Sequence, residues 1–246
     1  MNPRFLNKTV LVTGGTSGIG LAAARAFAAE GAHVIVTARP GRESVDLDPA
    51  FERVALDAAD VLGARALGAH LAAAGRTLDA VFVNAGIAEF ASLADASEDL
   101  WDRTFATNAK GAFFLVQALR PVLARGASIV LNGSINAHIG MPNSAIYAAS
   151  KAALVSLART LSAELLPQGA RVNVISPGPV ATSLYGKLGF DAETLKTVAA
   201  QIQSQVPLGR FGTPEEVAST VLHLSAPESA FIVGSEVIVD GGMSQL

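Results

Sequence analysis

Seven short apolar runs, at residues 9–12, 33–38, 54–56, 78–83, 128–131, 171–175 and 235–239, punctuate the chain. They carry many β-branched residues and little polar alternation, so they read as strands covered on both faces, as a parallel sheet requires. Between them apolar positions return with a helical period: at 21–29, from Asp60 through Ala74, over a long stretch at 98–124 opened by Ser97, from Ser144 through Leu166, and after Thr213. Gly31 and Gly75 are placed to end their helices in the left-handed conformation. Thr213-Pro214-Glu215-Glu216 supplies a cap, a proline at the first helical position and the glutamate of a capping box. Two stretches lack a clear period. Residues 40–53, with two prolines, predict a crossover helix that is cut short or irregular, and 177–207 reads as a flexible flap over a site. Strands and helices alternate with no linker and no repeat, which predicts a single α/β domain over 1–246. Its architecture is a doubly wound, seven-stranded parallel sheet with helices on both faces.

The first strand breaks into Gly14, Gly18 and Gly20 before its helix begins. Free amides and the positive end of the helix dipole converge on such a turn, where a phosphate can sit. No lysine follows Gly20, which argues against a P-loop, and the spacing is not the commonest dinucleotide form. Taken alone, the turn could equally be a tight connection. Further along, Asn84-Ala85-Gly86 stands at a strand's carboxyl end, the edge where ligands lie in open α/β sheets. At the end of the second strand an acid would take the ribose hydroxyls of NAD, and an arginine would accommodate the phosphate of NADP. Neither Thr37 nor Ala38 is acidic, Arg39 comes next, and Arg42 is in reach. This favours NADP(H), with NAD(H) possible.

Composition narrows the partners. Half of the residues are hydrophobic, 16% are charged and the formal net charge is -3, so no basic field exists for nucleic acid or an anionic membrane. The lack of cysteine excludes disulfides, thiolate metal sites and cysteine nucleophiles. No signal peptide or membrane span is apparent, and the expectation is a cytoplasmic protein acting on a small molecule. The carboxyl-terminal Ser244-Gln245-Leu246 is too weak a signal for a metal site, and none is expected.

Tyr147 and Lys151 are one helical turn apart on one face. Ser134 ends the preceding strand and can reach the same edge. Bringing a phenol from about 10 to about 7 requires roughly 4 kcal/mol of preferential stabilisation of the phenolate. An ammonium about 4 Å away, at an effective dielectric near 20, supplies about that much. The three residues therefore make a plausible acid–base unit. Asn108, a mediocre helix former in mid-helix, either faces water or holds a polar role.

Thr13 through Gly20, Asn84-Ala85-Gly86, Asn108, Ser134, Tyr147-Ala-Ala-Ser-Lys151 and Pro177-Gly178, in this order along the whole chain, resemble the short-chain dehydrogenase/reductase family. The resemblance implies a Rossmann-type fold and hydride transfer between nicotinamide and a ketone or secondary alcohol. Tyr147 is then the general acid and base, Lys151 lowers its pKa and holds the nicotinamide ribose, and Ser134 hydrogen-bonds the reacting oxygen. Asn108 keeps a water that links Lys151 to solvent. The cofactor is implied to lie along Gly14, Thr16, Ser17, Gly18, Ile19 and Gly20 for the pyrophosphate, Arg39 for the 2'-phosphate, and Asp57 and Ala58 for the adenine. Asn84, Ala85 and Gly86 line its ribose region; Pro177, Gly178, Val180 and Thr182 clasp the nicotinamide. Ile135, His138, Met141, Phe90, Leu184, Tyr185 and Leu188 would surround a largely apolar substrate pocket. A homotetramer packed through the two long helices is implied as well. Asn132-Gly133 departs from the family's more frequent serine before Ser134, with no effect on the mechanism expected. Two other readings stay open: a nucleotide-binding sensor or scaffold without turnover, and a lyase or epimerase using the same cofactor.

Overall fold

The computed structural model describes residues 3–41, 47–182 and 191–246. Seven strands, β1 (Thr9–Thr13), β2 (His33–Ala38), β3 (Glu52–Ala55), β4 (Leu78–Val83), β5 (Leu123–Asn132), β6 (Arg171–Pro177) and β7 (Glu236–Val239), form one sheet in the order β3-β2-β1-β4-β5-β6-β7. Every neighbouring pair is parallel. The helices are α1 (Gly18–Ala29), α2 (Val61–Ala73), α3 (Glu98–Phe105), α4 (Gly111–Leu119), α5 (Ala145–Leu165), α6 (Ala192–Ser204) and α7 (Pro214–Ser225).

Strand alternation builds two cores. Leu11, Val81, Val83, Ile129 and Leu131 point to the layer of α2, α4 and α5, where Leu71, Leu119 and Leu161 meet them. Val10, Val12, Phe82 and Val130 point the other way, against Phe27 of α1 and Val221 of α7. Both faces being covered is why the strands carry no polar alternation. The chain winds outward from β1 to β3, then returns to lay β4 beside β1. Connections leave on opposite sides there, which opens a crevice at the carboxyl ends of β1 and β4.

Four expectations need correction. The predicted helix over 98–124 is not continuous: α3 gives way to a π turn at Ala106–Lys110 and α4, and Pro121 stops the helix within a 3-10 turn at Arg120–Val122. Proline removes a donor the helix would need. The fifth strand starts at Leu123 rather than 128, and its register against β4 shifts between Leu78 and Ala80. The third strand is Glu52–Ala55, starting two residues earlier than 54–56, with Glu52 tied to Arg76 at 2.5 Å and His33 at 3.1 Å. Finally, the aperiodic stretch 177–207 contains α6, which Asp191 caps by accepting from Thr194 N. Within 40–53 the described residues hold no helix before β3; Leu47 and Phe51 are instead buried in the α1 and α7 core.

Candidate active site

Thr13 closes β1 by accepting hydrogen bonds on Oγ1 from the amides of Asn84 (2.9 Å) and Ala85 (3.0 Å), so the ends of β1 and β4 are stitched together. The chain then turns through Gly14 and Gly18, whose φ values of 63° and 51° disfavour any side chain. Ser17 caps α1 in extended conformation but makes no side-chain capping bond, and no acidic side chain stands in the first turn. An uncapped helix start facing a glycine turn suits an anion. Gly20 lies behind the turn: a Cβ there would run into the Gly14 carbonyl and come within 2.5 Å of Asn84 Nδ2. Its role is close packing, and it does not line the cleft.

The cleft has a volume of about 580 Å³ and runs along the carboxyl edge of the sheet. Its walls include Gly14, Thr16, Ser17, Gly18 and Ile19 from the turn, Arg39 after β2, Asp57 and Ala58 after β3, and Asn84, Ala85 and Gly86 after β4. Ser134, Tyr147 and Lys151 continue it, and Pro177, Gly178, Val180 and Thr182 close the far side. Every proposed cofactor contact except Gly20 therefore borders one space. A cradle lined by glycines beside an open helix terminus fits a dinucleotide's phosphates. Arg42, Leu184, Tyr185 and Leu188 fall outside the described residues.

Ser134 is buried at the end of β5 and hydrogen-bonds Tyr147. Burial raises the Tyr147 phenol above its ordinary value, and the Ser134 hydrogen bond pulls it partly back. Lys151 Nζ lies 5.8 Å from the tyrosine ring centroid and donates to the carbonyl of Asn132 at 2.7 Å. Burial also costs the ammonium its hydration, lowering Lys151 to about 8.

Asn108 is buried in the π turn, a geometry often found at functional positions. Its amide donates to Ile87 O (2.9 Å) and Ser150 Oγ (3.0 Å) and accepts from Ile87 N (2.8 Å). Asn108 thus brackets the loop after β4 to α5, next to Lys151, and does not itself line the cleft. Of the two readings its mid-helix position left open, Asn108 does not face water; its amide is met by protein partners.

Of the substrate residues, Phe90 packs edge-on against Tyr147 with ring centroids 5.6 Å apart, and Met141 is partly exposed. Ile135 is buried in the protein, and His138 is held by Glu236 at 2.6 Å; neither borders the cleft. The sequence reading missed Glu89, Arg103, Thr107 and Asn132, all of which do. Adjacency to Asn108 and Ser134 was the available signal for the last two. Nothing local marked the Arg103–Glu89 pair, which closes across 14 residues at 2.7 Å.

Residues 14–244 match a family profile described as Enoyl-(Acyl carrier protein) reductase. Over the full length of both chains, the protein is 36% identical to 2-(S)-hydroxypropyl-CoM dehydrogenase 3 of Xanthobacter autotrophicus. Among solved structures, the ligand-free aldohexose dehydrogenase of Thermoplasma acidophilum superposes with a TM-score of 0.90 at 27% identity, covering 99% of this chain and 96% of that one. A short chain dehydrogenase from Burkholderia cenocepacia in complex with NADP gives 0.86 at 30% identity, covering 98% and 99%.

Proposed function

Because the chain belongs to the short-chain dehydrogenase/reductase family, we propose that it transfers a hydride between NADP(H) and a ketone or secondary alcohol, with Tyr147 as general acid and base. The observation that carries this reading is the meeting of Ser134, Tyr147 and Lys151 in the same cleft as the glycine turn. When bound, the nicotinamide supplies or accepts the hydride. The chain's own residues handle the proton and the orientation. Tyr147 gives its proton to the carbonyl oxygen in reduction and takes one from the hydroxyl in oxidation, while Ser134 hydrogen-bonds that oxygen. A phenol held protonated by burial is in the correct state to act as an acid. Lys151, anchored on Asn132, offers its charge to the phenolate that follows and to the ribose hydroxyls.

Arg39, exposed on the cleft wall with no acid in the two preceding positions, supports NADP(H) over NAD(H). A homotetramer built through α3, α4 and α5, working in the cytoplasm, completes the reading. Among the described residues no helix is long and apolar enough to cross a membrane. The test is Tyr147→Phe, assayed with a ketone panel by the absorbance of reduced nicotinamide. Loss of general acid catalysis should cost about 10²–10⁴-fold in turnover, with dinucleotide binding measured by fluorescence nearly unchanged. Normal turnover in that variant would refute the assignment, and no nicotinamide consumption by the parent protein with any ketone would favour a sensor or scaffold.

A further inference from the structure

Two side-chain amides span the cleft floor between the glycine turn and Lys151. Asn84 Nδ2 donates to the carbonyls of Thr13 (3.0 Å) and Gly14 (3.3 Å), which fixes its amide with the nitrogen toward the turn and Oδ1 away. Asn132 must then present its own nitrogen, and its Nδ2 donates to Asn84 Oδ1 at 3.0 Å. The main-chain oxygen of the same Asn132 accepts from Lys151 Nζ at 2.7 Å. Gly86 confines that amine from the side: a Cβ there would stand 3.4 Å from Lys151 Nζ and 3.1 Å from Asn108 Oδ1.

This orientation leaves Asn132 Oδ1 sealed from solvent, without a donor among the described residues. A buried acceptor with no partner destabilises a protein. Threonine or valine at this strand end would carry no orphaned amide oxygen, so the amide is a burden on stability that its donor nitrogen has to justify.

We propose that Asn132 is a positioning residue, the middle link of a Gly14–Asn84–Asn132–Lys151 chain that holds the lysine in register with the glycine turn. Occupancy of the turn by the dinucleotide is thereby felt at the amine that serves Tyr147. The inference rests on the catalytic reading of Tyr147 and Lys151 given above. Besides these two, the ionisable groups bordering the cleft among the described residues are Arg39, Asp57, Glu89 and Arg103.

Two variants test the link. Asn132→Asp keeps the shape but sets an acceptor against Asn84 Oδ1, and Asn132→Thr suits a strand end but lacks the amide. In both, kcat for ketone reduction should fall about tenfold with the substrate KM held within about twofold, the pattern of an interaction that matters in the transition state. Dinucleotide affinity, titrated by nicotinamide fluorescence, should weaken severalfold. The carboxylate of Asn132→Asp favours the charged amine beside it, so the basic limb of the kcat–pH profile should move upward in that variant and not in Asn132→Thr. A wild-type kcat and dinucleotide affinity in Asn132→Thr would overturn the proposal, whether or not Asn132→Asp folds. So would a loss seen only as a lower melting temperature. If Tyr147→Phe turned over normally, the catalytic reading would fall, while the fluorescence titration of the Asn132 variants would still report on the link.

Discussion

Arg39 stands exposed where β2 leaves the sheet, on the wall of the cleft and directly after Thr37 and Ala38. Hydrogen bonds to charged groups contribute about 1.5–3 kcal/mol. Arg39→Asp should therefore lower the preference for NADPH over NADH by about tenfold to a hundredfold, read from Kd values for both dinucleotides. An unchanged ratio would assign the phosphate to another residue. At this scale the sequence was informative about identity and less so about environment. The four-residue spacing of Tyr147 and Lys151 placed them on one helix face, as the structure has them. Spacing carries no information on burial, however, and burial is what raises the phenol and lowers the amine. Asn132 looked like a neutral departure in a motif; only the fixed orientation of Asn84, set by carbonyls about 70 positions upstream of it, makes its amide meaningful.

The helices differ in how openly their sequences declare them. α7 has the full capping box expected from Thr213-Pro214-Glu215-Glu216: Glu216 N donates to Thr213 Oγ1 at 3.2 Å, and Thr213 N donates to the Glu216 carboxylate at 2.8 Å. Because this cap is local, the sequence revealed it completely. Thr213→Ala should cost about 1 kcal/mol and lower the melting temperature by roughly 2–4 °C in a chain of this size, checked by calorimetry at fixed protein concentration. α6 was missed because its start depends on Asp191 and follows a stretch with little apolar period. The π turn at Ala106–Lys110 was missed for a different reason. Its extra residue turns Asn108 inward toward Ile87, and periodicity, which assumes one pitch throughout, cannot register such a shift.

For the whole molecule, the order β3-β2-β1-β4-β5-β6-β7 places the cleft where the winding reverses, between β1 and β4. The alternation of strand and helix, together with the absence of linkers, was enough to anticipate a single doubly wound sheet. Exact strand limits were less accessible, as β3 and β5 show, because pairing partners rather than local composition decide where an edge or bulged strand begins. The proposed assembly belongs here too. Trp101, stacked on Phe105 at a centroid distance of 4.5 Å, is half exposed on α3, and Leu166 at the end of α5 is similarly open. Light scattering coupled to gel filtration should return four times the chain mass. A monomer at micromolar concentration would remove the tetramer from the proposal.

The end of the chain is built into the wall of the cleft. Gly178 donates its amide to Val239 O at 3.0 Å, and a Cβ on Gly178 would come within 2.6 Å of Asp240 Cβ. Asp240 in turn gathers the amides of Gly242 (2.8 Å) and Ser244 (2.7 Å). Residues 239–244 are therefore a buttress for a segment more than sixty positions earlier, so a substitution that unseats Asp240 should be felt at the cleft wall.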